Sequence, residues 1–259
     1  MTDPRLDAVS AAAAEAGRMA HELWRGDFKR WEKAPGNPVC EVDLAVDDFL
    51  RARLAQIDPE AGWLSEETAD SAERLLRSKA WVVDPIDGTR DYIRGRTGWA
   101  VSVALVEGGK VLLGVLDAPS RGQQWCAEMG GGAWLNGERL RVSDREELPG
   151  ARVPADTLPK TDADLIGVPR PNSIALRIGM IAAGEVDLVA TLRWGREWDI
   201  AAAHLIAQEA GAIVTDALGR PIRFNSTSAE AFGVLASVPG IHQAAVQRLW
   251  SRAMKASAR

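Results

Sequence analysis

The stretch WVVDPIDGTRDYI, residues 81–93, decides how the rest of the chain is read. Val82 and Val83 form a β-branched pair bounded by proline and glycine, which predicts the end of a buried strand. Asp84 and Asp87 then stand where that strand is expected to stop. Pro85 has a fixed φ and no backbone donor, while Gly88 can adopt conformations closed to other residues. A sharp turn follows, and it can aim two carboxylates at one point. Asp and Gly are also ordinary turn residues, so an isolated D-P-x-D-G-T is compatible with a solvated loop. Its meaning depends on what accompanies it.

The chain has 259 residues, 46% apolar and 26% charged, which suits one large or two ordinary globular domains. A net charge of −5 and a pI near 5.4 argue against non-specific nucleic-acid binding, which needs a basic face. Cys40 and Cys126 are the only cysteines and there are three histidines, too few for a disulfide framework or a Cys/His zinc site. Free thiols are expected, as in a reducing cytoplasm. The first twenty residues carry Asp3, Asp7 and Glu15 and lack the basic start and apolar centre of a signal peptide. No run approaches the ~20 apolar residues of a membrane span.

Helical spacing of Leu6, Val9, Ala13, Ala16 and Ala20 predicts a first amphipathic helix over 5–25. EVDLAVDDFLRARLAQI predicts a second, with Leu44, Phe49, Leu50 and Leu54 as its apolar face. KAPGNPV between them reads as a loop. Strands are expected at 80–83, within 99–119 and within 122–140, joined by glycine-rich hairpin turns such as Glu107–Lys110. Residues 144–164 are polar with three prolines and read as a boundary. Beyond it helix, strand, helix, strand and a last helix over 240–255 alternate. The expected organisation is an α+β half, 1–145, and an α/β half, 146–259, with a site between them.

Further acids join the opening pair. WLSEET supplies Glu66 and Glu67, and EWDIAAAHLIAQEAG supplies Asp199 at the start of a helix. Separately each has a plain reading: a helix N-terminal acid, or a solvated corner. Together, carboxylates without imidazole or thiolate form the donor set of a hard cation such as Mg²⁺, which commonly also binds a substrate phosphate. Two such ions ~4 Å apart activate water and stabilise a leaving oxygen. Gly88 and Thr89 then have a use as backbone donors to phosphate.

DPIDGT with Tyr92 downstream, the upstream SEE and the downstream WDIAAAHLIAQEAG resemble, in order and spacing, the three signatures of the inositol monophosphatase superfamily. The resemblance implies a layered α/β/α/β/α sandwich and a Mg²⁺-dependent, lithium-sensitive phosphomonoesterase. It further implies two or three Mg²⁺ ions, a homodimer and no covalent phosphoenzyme. By the same resemblance, Glu67, Asp84 and the Ile86 carbonyl hold one ion. Asp84 bridges to a second ion held also by Asp87 and Asp199. Asp43 and Thr89 orient the attacking water, with Glu67 close by. Gly88, Thr89 and Asp87 lie at the phosphate, and Ser173 and Arg193 at the rest of the substrate. The chain departs from the pattern at Cys40 and Val42, and at Asn172 where glycine is usual.

Family members that act on inositol phosphates commonly carry a glutamate seven residues before the aspartate of the WD motif, and Leu192 stands there. WEKAPGNPVCEVDLAVDDFL, GWLSEET and RLLRSKAWVVDPIDGTRDYI are instead similar to bacterial 3'(2'),5'-bisphosphate nucleotidases. That similarity implies removal of the 3'-phosphate of adenosine 3',5'-bisphosphate. Arg170, Arg193 and Arg196 are candidates for a second phosphate, or plain surface arginines. Trp194 is a candidate to stack a base, or a core residue. Inositol phosphates, a broader range of sugar phosphates, and a regulatory binding role stand as alternatives.

Overall fold

The computed structural model describes residues 3–258. Its centre is a seven-stranded sheet in the order β3 (Gly62–Ser65), β4 (Lys79–Asp87), β5 (Ala100–Glu107), β6 (Lys110–Ala118), β7 (Gln123–Glu128), β8 (Gly132–Leu135), β9 (Glu138–Arg139). The β3–β4 pair is parallel and the others antiparallel. Helices α1 (Arg5–Leu23) and α2 (Glu41–Ile57) cover one face, and α4 (Ile174–Ala182) and α5 (Ala201–Glu209) the other. Beyond these lies a smaller antiparallel sheet, β12 (Leu188–Arg196), β14 (Glu230–Ser237) and β13 (Ile213–Thr215), backed by α6 (Pro239–Ser257). The layers therefore run α/β/α/β/α, as expected. Short strands β10 (Arg152–Pro154), within the polar connection, and β11 (Ile166–Val168), just after it, pair in parallel. No helix among the described residues is long and apolar enough to cross a membrane.

Residue parity explains the layering. Along β5, Val101, Val103 and Leu105 join the core under α1 and α2, while Ala100, Ala104 and Val106 join the core under α4 and α5. A strand covered on both faces reads as a continuous apolar run, and each large side chain so buried stabilises the fold by about 1.5–3 kcal/mol. Small residues admit the middle helices. A Cβ on Gly114 would stand 2.7 Å from the Ala202 carbonyl oxygen, so α5 lies directly on β6. The alanines of α5 serve the same close approach between two sheets.

The structure corrects four readings. KAPGNPV is a hairpin rather than a loop: β1 (Arg30–Ala34) and β2 (Asn37–Cys40) pair across Pro35–Gly36, with every β1 residue exposed. The strand through the opening motif does not stop at Asp84; β4 continues to Asp87 with a register shift between them. On α2 the buried stripe is Val42, Val46, Leu50 and Leu54 together with Asp43 and Asp47, and Leu44 is exposed. Finally, β14 was not expected, yet it is the central strand of the small sheet.

Candidate active site

Pro85 sits in the irregular part of β4, where a missing donor costs no ladder bond. Gly88 follows at φ +97°, and a Cβ there would stand 2.5 Å from the Gly98 carbonyl oxygen and 3.0 Å from the Ser173 nitrogen. Glycine is thus required for its conformation and for the junction with the chain leading into α4. The short helix α3 (Thr89–Ile93) starts immediately afterwards.

Glu66, Asp84 and Asp199 come together, each with a carboxylate oxygen within 4.8 Å of the others. Three elements deliver them: the end of β3, the irregular β4, and the turn before α5. Ser102, opposite Asp84 on β5, donates to the Trp198 carbonyl at 3.5 Å and links that turn to the large sheet. The family resemblance implies Glu67 in this group. The structure turns Glu67 aside, to the Lys33 ammonium at 2.7 Å, and brings Glu66 in. Lys33 also reaches Glu66 at 3.2 Å, so a side chain of the β1–β2 hairpin spans both glutamates. Asp87 lies outside the three-acid group; one of its oxygens accepts from Ser173 Oγ (2.5 Å) and the Ala175 amide (2.7 Å).

Crowding shows in the proton affinities. Burial, then the charges of Glu66, Asp87 and Asp199, raises Asp84 well above the usual carboxylate range. Burial, then Asp87 and Glu66, pushes Asp199 up to about 8. Asp87 is raised by burial to about 6 despite its bonds to Ser173 and Ala175, and Glu67 by burial to about 7 despite Lys33. Such a group resists ionisation until a cation neutralises it. Its donors are all carboxylates, which fits a hard divalent cation.

Behind the acids, Asp43 is buried in the first turn of α2. Its Oδ2 accepts the Cys40 amide (2.8 Å) and thiol (2.9 Å), a capping arrangement with cysteine at the N-cap. Thr89 Oγ1 lies 3.2 Å from Asp43 Oδ1 and 3.1 Å from the Ile86 carbonyl, so one hydroxyl proton serves two acceptors. Burial raises Asp43 to about 6, against the pull of Cys40. One helical turn on, Asp47 accepts from Ser65 and, at 2.5 Å, from Thr68, fixing the loop that carries both glutamates. An acid four residues after Asp43 was the available signal for it.

Asp84, Ile86, Asp87, Gly88, Thr89 and Asp199 line a cleft of about 610 Å³ whose other walls carry Lys33, Arg90, Arg177, Arg193 and Arg196. Arg193 is exposed, while Arg196 pairs with Glu230 and lies over Trp198. Arg170 is outside the cleft lining and pairs with Asp156. Trp194 reaches the cleft and also packs on Phe232. Ser173, expected on the substrate side, and Leu192, at the position where a substrate-binding glutamate is usual, both lie elsewhere. Ser173 is fully buried, capping α4 by accepting the Leu176 amide while donating to Asp87. Leu192 faces an apolar cavity of about 210 Å³ on the far side of β12. The register shift between Thr191 and Trp194 inserts one residue there, and Thr191 and Arg193 face the cleft instead.

A sequence model of the inositol monophosphatase family matches residues 1–254. Inositol-1-monophosphatase of Mesorhizobium japonicum is 33% identical over 231 residues, covering 82% of this chain and 85% of the relative. The 3'(2'),5'-bisphosphate nucleotidase CysQ of Escherichia coli is 31% identical over 232 residues, covering 85% and 93%. The solved structure of an IMPase from Thermotoga maritima superposes with a TM-score of 0.83 at 28% identity, covering 98% of this chain and 100% of that one.

Proposed function

The chain belongs to the inositol monophosphatase family, a family of metal-dependent phosphatases, and we propose that it is a Mg²⁺-dependent phosphomonoesterase for adenosine 3',5'-bisphosphate. The observation that carries the substrate is one cleft of about 610 Å³ shared by the acidic group and an exposed arginine, Arg193. A substrate with two separated phosphates answers both features: one phosphate at the acids, the other at the guanidinium.

Glu66, Asp84 and Asp199 would hold the cation, with Ile86 and Asp87 lining the same cleft. Bound there, Mg²⁺ supplies positive charge to the phosphoryl oxygens and to the developing leaving oxygen. The chain's own residues manage the water. Thr89 presents its hydroxyl in the cleft and Asp43 stands behind it, so an attacking water is oriented by Thr89 and its proton passes toward Asp43. An acceptor with a pKa of about 6 suits that task near neutral pH. Gly88 and Thr89 form the backbone surface beside the phosphate.

Inositol 1-phosphate is the second reading, favoured by one observation. Leu192 points away from the cleft, so the lack of a hydroxyl-binding side chain at that position says nothing about inositol. The test is phosphate release in Mg²⁺ from the two esters side by side, compared as kcat/KM. At least a tenfold preference for the nucleotide is expected; equal rates or the reverse preference would replace it with the inositol ester.

A further inference from the structure

Two buried charged residues lie outside the cleft and have no part in the chemistry above. The Arg74 side chain is 1% exposed and Glu197 is fully enclosed. Burying either is costly unless its donors or acceptors are met, so their partners reveal what they hold together. Arg74 Nε and Nη2 grip the two oxygens of Asp70 at 2.6 and 2.9 Å. Its Nη1 donates to Asn225 Oδ1 at 2.6 Å and Nη2 also to the Ser226 carbonyl at 2.8 Å. From the other side, Glu197 accepts the amides of Asn225 (2.5 Å) and Ser226 (3.1 Å) and the Ser226 hydroxyl. Asn225 has φ +58°, a left-handed conformation that asparagine tolerates, and gives its side-chain oxygen to Arg74 and its amide to Glu197.

The ends of this chain of bonds matter. Asp70 and Arg74 close the segment that starts with Glu66. Glu197 is two residues before Asp199, and its carbonyl accepts the amides of Ile200 (3.2 Å) and Ala201 (2.9 Å), closing the turn that carries Asp199. A Cβ on Gly62 would stand 2.8 Å from Arg74 Cα, so glycine lets the Arg74 segment lie against β3. One guanidinium therefore joins the two segments that bring Glu66 and Asp199 to within 4.8 Å of each other.

We propose that Arg74 is a positioning residue for the cation site, setting the separation of Glu66 and Asp199 through Asn225, Ser226 and Glu197. The proposal rests on the assignment of Glu66, Asp84 and Asp199 as cation ligands. A lysine at 74 keeps the charge but cannot bridge Asp70, Asn225 and Ser226 with a planar fork. A clamp that serves stability alone would lower the melting temperature and leave cation affinity untouched; a positioning clamp changes affinity in protein that is still folded.

The experiment is calorimetric titration of Mn²⁺ into the metal-free full chain, for the wild type, Arg74→Lys and Asn225→Gly. The second variant keeps the left-handed backbone and removes only the acceptor for Nη1, so it decides the matter if Arg74→Lys does not fold. Mn²⁺ affinity is expected to fall about tenfold or more in Arg74→Lys, in the range for residues that orient metal ligands, and severalfold in Asn225→Gly. Turnover in both should recover at high Mg²⁺ with KM for the ester unchanged. Wild-type affinity in folded variants would overturn the proposal. A wild type that binds no Mn²⁺ would overturn the ligand assignment itself, and the proposal with it.

Discussion

Replacing Asp84 by asparagine should stabilise the metal-free protein while destroying its activity. Asp84 is buried, and its carboxylate has oxygens of Glu66 and Asp199 within 4.8 Å. At an effective dielectric of about 20, each fully ionised pair at that separation repels by about 3 kcal/mol. Protonation relieves part of this, because the folded acids hold their protons well above the unfolded value. Between the unfolded carboxylate pKa and about pH 8, the native state binds more protons than the unfolded state. Stability of the metal-free wild type therefore falls as pH rises through that window. Asparagine removes the charge, keeps an oxygen for the Ile86 amide that now bonds Asp84 at 3.0 Å, and relieves about 2 kcal/mol at pH 8. For a chain of this size that corresponds to a Tm higher by about 5 °C. The assay is calorimetric melting in a chelator at pH 5 and pH 8, repeated with Mg²⁺. Asp84→Asn should melt above the wild type at pH 8 in chelator, with the gap shrinking at pH 5. Added Mg²⁺ should raise only the wild type appreciably. A variant that melts below the wild type in chelator at pH 8 would refute the reasoning, because the acids would then not be crowded at a cost.

Asp43→Asn should lower kcat by about 10²–10⁴-fold with little change in KM, and should abolish the rise of kcat through about pH 6 that deprotonation of Asp43 gives the wild type. Steady-state pH profiles check this. Arg193→Met should reduce kcat/KM for adenosine 3',5'-bisphosphate by at least about tenfold and leave inositol 1-phosphate nearly unchanged, since only the first has a second phosphate to lose. Gly88→Ala should destabilise the fold by about 2 kcal/mol or more, from its φ of +97° and the contact with Gly98, measurable as a lower denaturation midpoint.

Much of the architecture was legible because the apolar runs and glycine turns are local signals. The Gly108–Gly109 turn marks the β5–β6 hairpin, and helical spacing marks α1. What escaped has physical causes. Every residue of β1 is exposed, so no alternation of buried and exposed side chains distinguishes it from a loop. Buried Asp43 and Asp47 occupy the inner face of α2, so an apolar count misplaces that face toward Leu44. In β14 the apolar run Ala231–Ala236 is broken by Gly233, which has φ +64°, and its role shows only when β12 and β13 flank it.

The site was legible as a set of acids and illegible as geometry. Glu66 and Glu67 are chemically identical neighbours, and only the fold decides which one turns to Asp84 and which to Lys33. Counting seven residues back from Asp199 assumes an even strand, but the bulge in β12 shifts the parity and carries Leu192 to the opposite face. Arg74 and Glu197 gave no signal in sequence, since each acquires its meaning from partners on a distant segment.

The most direct test of the cation site is the anomalous difference map of a crystal of the wild-type protein soaked in Mn²⁺. The expected result is a peak among the carboxylates of Glu66, Asp84 and Asp199, with Glu67 still on Lys33. A peak coordinated by Glu67 in place of Glu66, or no peak in the cleft, would contradict it.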